Sequence, residues 1–142
     1  MATRPPDGPS PREGRPPVNE SAPGITFSVD AEGIVRTTMR GTITAADLAA
    51  HVRARASAQL LTAPQLIDAR DAQLDLTTED VRSLAALVGQ LRSTGGTART
   101  AFVAQQDFAY GMARMYAALG VRYDPGFAVF RTLDEAESWL RE

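Results

Sequence analysis

Along this chain the apolar positions switch between two spacings, and each switch marks an element. Ile25, Phe27 and Val29 alternate with Thr26 and Ser28, the period of a half-buried strand. Asp30-Ala31-Glu32-Gly33 then reads as a turn in which Gly33 is free to take a positive φ. A second extended run, Ile34 to Arg40, completes an opening hairpin that Gly41 ends. Beyond it the spacing becomes helical. Leu48, Val52, Ala56 and Leu60 share a stripe behind Thr44 and Asp47, which have the spacing of a capping box. Gln65-Leu66-Ile67-Asp68, entered after Pro64, is a short strand. Thr77 and Asp80 form a second capping pair, followed by Val81, Leu84, Ala85, Val88 and Leu91 on one helical face, with Gly95-Gly96 as the stop.

Thr100-Ala101-Phe102-Val103-Ala104 is nearly continuously apolar, as a strand is when helices cover both sheet faces. Asp107 opens a helix that places Phe108, Met112, Met115, Tyr116 and Leu119 on one side. Phe127-Ala128-Val129-Phe130 is the last strand, and Thr132 with Glu135 caps a final helix burying Leu133, Ala136 and Leu140. The order β-β-α-β-α-β-α-β-α predicts a single α/β domain with a mixed, mostly parallel sheet and right-handed crossovers. Residues 24–142 form this domain, enough chain for one core. Residues 1–23 hold seven of the nine prolines (Pro5, Pro6, Pro9, Pro11, Pro16, Pro17 and Pro23) and little that is apolar. That composition predicts a disordered tail whose removal leaves stability unchanged.

Composition narrows the chemistry mostly by omission. All 15 basic residues are arginine, and there is no cysteine. Without lysine there is no P-loop phosphate lysine and no Schiff base; without cysteine, thiol nucleophiles and cysteine-zinc sites drop out. His51 is the single histidine, at the edge of a helical stripe, where a packed or surface role accounts for it. No G-x-S-x-G accompanies it, and Gly95-Gly96 lacks the spacing of a dinucleotide loop. A net charge of −2 argues against general nucleic-acid binding. No run is apolar enough to span a membrane and no signal-like segment leads the chain, so the cytoplasm is the expected location. No cofactor or metal is expected.

Carboxylates survive this elimination. Asp68, Asp71, Asp75, Glu79 and Asp80 fall within what reads as one loop and helix start, where the helix dipole itself favours acids. A polar constellation of Asp68, Arg70, Asp107, Tyr110 and Arg114 is the candidate ligand site. Asp68 and Arg70 follow one parallel strand and Asp107 the next, so their carboxyl ends would open on one side. Tyr110 and Arg114, four apart, share a helix face distinct from the apolar stripe. Arginine's forked donors suit an anionic group there.

The segments Leu66-Ile67-Asp68-Ala69-Arg70, Arg99 to Ala104, Tyr110-Gly111-Met112-Ala113-Arg114-Met115, and Phe127 to Arg131 followed by Trp139-Leu140 give the chain a family resemblance. From Ile25 to Leu140 it resembles the bacterial STAS/SEC14-type proteins described as SpoIIAA-like. The resemblance implies a central sheet with a hairpin-like start, surrounding helices and no established enzymatic activity. Related STAS domains that antagonise anti-sigma factors carry a phosphorylatable hydroxyl just after a strand ending in Ile-Asp. Here that position reads Ala69-Arg70-Asp71 with no hydroxyl, and Thr77 is used as a cap. The SEC14 side implies an apolar or lipid-like ligand.

The expected function is therefore a non-enzymatic binding or regulatory module acting through a protein partner or self-association, for instance as a homodimer. The alternative is a binder of a small apolar, lipid-like or anionic molecule at the carboxyl ends of the parallel strands.

Overall fold

In the computed structural model, which describes residues 17–92 and 98–142, the chain opens as an antiparallel meander. Its strands are β1 (Asn19–Ala22), β2 (Ile25–Val29) and β3 (Val35–Thr44). Helix α1 (Ala45–Ser57) leads to β4 (Gln65–Asp75), α2 (Thr78–Leu91) to β5 (Thr100–Val103), α3 (Asp107–Leu119) to β6 (Phe127–Phe130), and α4 (Leu133–Leu140) closes the described chain. From β3 onward every pairing is parallel. The six strands stand side by side in their sequence order. Three crossovers that step in the same direction with the same hand put their helices on one face. That face carries the larger core, in which Met39, Ile67, Val81, Phe102 and Met112 meet. On the opposite face α4 sets Ala136, Leu133, Trp139 and Leu140 on Leu66, Ala101 and Val103.

The capping residues act as their spacing predicts. The Thr44 and Thr77 side chains accept from the backbone N–H groups of Asp47 and Asp80, whose carboxylates accept in return, and Thr132 accepts from Glu135. Asp30 Oδ1 accepts from the backbone of Glu32 and Ile34, fixing the turn at Gly33. Its other oxygen takes Arg36 Nε at 2.8 Å, and Arg36 reaches on to Glu137 of α4 in a forked pair.

Four expectations change. First, residues 19–22 form a strand, where the proline-rich composition pointed to a tail through Pro23. Pro23-Gly24 has the residue chemistry of a type II turn, and Gly24 takes φ +81° there. This folds Ala22 back beside Ile25 and buries it. Residues 1–16 and the Gly95-Gly96 helix stop lie outside the described residues.

Second, Gly41 does not end its strand. At φ +75° it sits inside β3, paired with Ala72.

Third, β4 is far longer than Gln65–Asp68, because a bulge interrupts its alternation. Thr38 pairs with Asp68 but Arg40 with Asp71, so β4 carries one residue more than β3 across that step. Ala69 and Ala72, three apart, thereby both enter the larger core. Asp68, Asp71 and Asp75 thus lie on a strand, not in a loop.

Fourth, the α3 stripe is rotated. Ala109, Met112 and Ala113 are buried, whereas Phe108 is 59% exposed.

Candidate functional site

The residues nominated from sequence fall into two groups. Asp107, Tyr110 and Arg114 come together on α3, joined by Arg131 at the end of β6. The Arg131 guanidinium lies 3.9 Å from the centre of the Tyr110 ring and that of Arg114 5.9 Å. Arg131 also pairs with Asp107 at 3.1 Å and donates to the Gln105 carbonyl. Arg131 follows the last strand just as Arg70 was held to follow an earlier one, so the same reasoning could have included it. The other group is a closed pair. Arg70 Nε and Nη2 donate to the two oxygens of Asp68 at 2.8 and 2.9 Å. These bonds hold the Asp68 carboxyl below its usual range despite partial burial.

The sheet separates the two groups. Ile67 and Ala69 enter the core under α1–α3, so the alternating Asp68 and Arg70 share the other face with Leu66, which packs under α4. No hydrogen bond or ion pair links the Asp68–Arg70 pair to the α3 group among the described residues. Exposed ion pairs of this kind add little to stability, because water and salt screen them. Among the described residues, no three His, Asp or Glu side chains gather as metal ligands would.

A mostly apolar space, partly open to solvent, lies elsewhere among the described residues. A cavity of about 90 Å³ lies between the sheet and α1, α2 and α3. Gln65, Thr100 and Phe127, the first residues of β4, β5 and β6, line one end, with His51 and Arg55 from α1, Tyr116 from α3 and Asp124 from the loop before β6. Met39, Leu74, Val81 and Met112 are among the apolar walls. The polar end therefore sits at the amino ends of the parallel strands, opposite to the edge expected from the topology of open sheets.

Two hydrogen-bonded networks frame that end. In the first, Thr37 Oγ1 donates to Gln65 Oε1 at 2.7 Å, and the same oxygen lies 2.9 Å from His51 Nε2. With an acceptor at Nε2, that nitrogen carries the ring proton and Nδ1 accepts from Ser21 Oγ at 2.9 Å. Burial pushes the His51 pKa down to about 4, and the Arg55 charge adds to the effect, so the ring is neutral. In the second network, Arg92 pairs with Asp124 at 2.7 Å, both almost fully buried, and Tyr116 donates to the other Asp124 oxygen at 3.0 Å. Burial foremost, then the Asp124 charge, raises the Tyr116 phenol.

Arg55 is only 6% exposed, and its recorded hydrogen bond is a long one from Nη2 to the Leu60 carbonyl at 3.3 Å. Among the described residues its Nε has no partner, and neither does the hydroxyl of Thr100, which is 2% exposed. Burial, reinforced by Arg92, brings the Arg55 pKa down to about 10, against the pull of Asp124. Buried polar groups normally find a partner, and each left without one costs about 1–3 kcal/mol. Sequence reading missed this site because its members are scattered over helix, strand and loop positions that only the fold brings together. The signal that could have found it is the placement of His51 and Arg55, four apart, on the buried face of α1.

No family model matches the chain, and no curated protein matches it. Among solved structures it is similar to an uncharacterised protein of the DUF3478 family with a SpoIIAA-like fold, from Shewanella loihica PV-4. The alignment covers 82% of this chain and 91% of that one, at 19% identity and a TM-score of 0.50. The fold is SpoIIAA-like, a single α/β domain with a mixed, mostly parallel sheet.

Proposed function

We propose that this domain is a non-enzymatic module that binds a small, largely apolar molecule in the cavity beneath α1, α2 and α3. The observation that carries this reading is a pair of buried polar groups without a partner among the described residues, Arg55 Nε and Thr100 Oγ1, belonging to residues at the polar end of a mostly apolar space. A core that only has to be stable is filled at organic-crystal density and leaves few such atoms, so two on the wall of one pocket call for a partner. One water needs about 10–15 Å³ on this measure of volume, so the space suits a molecule of roughly six to ten non-hydrogen atoms. That is too small for a whole membrane lipid. The reading includes no phosphoswitch, because Ala69, Arg70 and Asp71 sit within the β4 bulge and offer no hydroxyl.

The test is native mass spectrometry of the gently purified full chain, with thermal shift on adding butanoic to octanoic acids and the matching alcohols. The expected result is a retained small molecule that denaturation releases, or a Tm that rises with added compound. A bare chain mass together with an unmoved Tm overturns the proposal.

Association with a protein partner or a second copy is a separate reading, favoured by Leu91, Leu119, Val121 and Tyr123, all exposed near the ends of α2 and α3. Light scattering after gel filtration tests it: a strictly monomeric mass at high concentration removes self-association.

A further inference from the structure

The cavity also indicates which end of its ligand goes where. The charges acting on Arg55 are those of Arg92 and Asp124, and the Asp124 carboxylate already accepts from Arg92 and Tyr116. Asp124 is the single acidic residue on the cavity wall, and His51 is neutral. Among the described residues two guanidinium charges thus stand against one carboxylate, leaving one positive charge unbalanced. Buried charges are paired or they are costly, and the partner missing here is a single negative charge. Two buried donors beside that charge have no partner among the described residues, Arg55 Nε and the Thr100 hydroxyl.

Resting on the binding reading above, we infer that the cavity recognises a small monocarboxylate, its head on Arg55 and Thr100 and its apolar body toward Met39, Leu74, Val81 and Met112. A carboxylate accepts through two oxygens, one for each free donor. A phosphate dianion would bring a second negative charge where the charge count has room for one. An alcohol or hydrocarbon would leave the charge of Arg55 unbalanced.

The test is calorimetric titration of the full chain at pH 7 with octanoate and with octan-1-ol, which share a chain length and differ in charge. The wild-type chain is expected to take up one octanoate and to prefer it over octan-1-ol by tenfold or more, the value of one charged hydrogen bond. Arg55→Met keeps the stem and removes the charge, and it should erase that preference while leaving octan-1-ol affinity within a few-fold. Thr100→Val, of nearly the same shape, should weaken octanoate several-fold and octan-1-ol little. If wild type binds the two compounds equally, or Arg55→Met keeps the preference, the carboxylate inference is overturned and the binding reading stands. If neither compound binds wild type, both are overturned.

Discussion

His51 makes the acid stability of this protein readable one side chain at a time. In the unfolded chain the imidazole titrates near 6.5, and in the folded state near 4, chiefly because it is buried. Between those values the unfolded chain takes up a proton that the folded one declines. Stability is therefore full above pH 6.5, falls as the pH drops toward 4, and then levels off as far as this group is concerned. The slope approaches about 1.4 kcal/mol per pH unit, for a total on the order of 3 kcal/mol. The carboxyls held low by their arginines, Asp30, Asp68 and Glu137, withdraw their own contributions only at more acid pH. Urea unfolding at half-unit steps should show this slope, and His51→Gln should flatten it. A variant that kept the full slope would assign it to other groups.

Two glycines provide a second contrast at this scale. A Cβ at Gly24 would stand 2.5 Å from the Arg40 carbonyl oxygen, whereas one at Gly33 would meet nothing within 4 Å, and both residues have positive φ. Gly33→Ala should cost about 1–2 kcal/mol from backbone conformation alone. Gly24→Ala should cost distinctly more, because it must also displace backbone that donates from Arg40 N to Gly24 O at 2.9 Å. Equal losses in denaturant melts would contradict the close approach.

At the scale of elements, β1 shows where the sequence misleads. Pro16 and Pro17 precede it, Pro23 follows it, and its residues Asn-Glu-Ser-Ala carry no apolar alternation, so composition alone assigns it to a tail. What makes it a strand is non-local: pairing with β2, burial of Ala22, and the hydrogen bond from Ser21 to His51, thirty residues away. Removing residues 1–23 should therefore lower Tm by roughly 5–10 °C, as a loss of about 2 kcal/mol does in a domain of this size. Removing only residues 1–16 should lower it less. Equal melting temperatures for the two shortened chains would show that β1 contributes nothing. The long β4 was hidden for a related reason, since the bulge breaks the period-2 pattern on which a reading of strands depends. The helix starts were legible because caps are local signals: α2 and α4 begin where Thr77 and Thr132 say they should, whereas the buried faces of α1 and α3 differ from the apolar stripes read in sequence.

For the whole molecule, the fold class could be read because alternation of strands and helices is a property of the chain. The cavity could not be, because it depends on what three helices and four strands leave unfilled between them. Arg55 illustrates the point. In sequence it is one of 15 scattered arginines, and only the assembled sheet and helices show that it is buried with its Nε unmatched. The same assembly separated residues that sequence had grouped, sending Asp68 and Arg70 to one face and Tyr110 and Arg114 to the other side of the sheet.

The strands stand in the sheet in the order in which they occur in the chain. No strand has to be inserted between two that are already in place, so the sheet can lengthen at a single growing edge as the polypeptide leaves the ribosome. Each new helix–strand unit finds its docking partner already made, and the amino-terminal meander serves as the template on which the rest is laid down. Synthesis and folding can then proceed in the same direction, and the last unit, α4, arrives to cover a face that is complete before it docks.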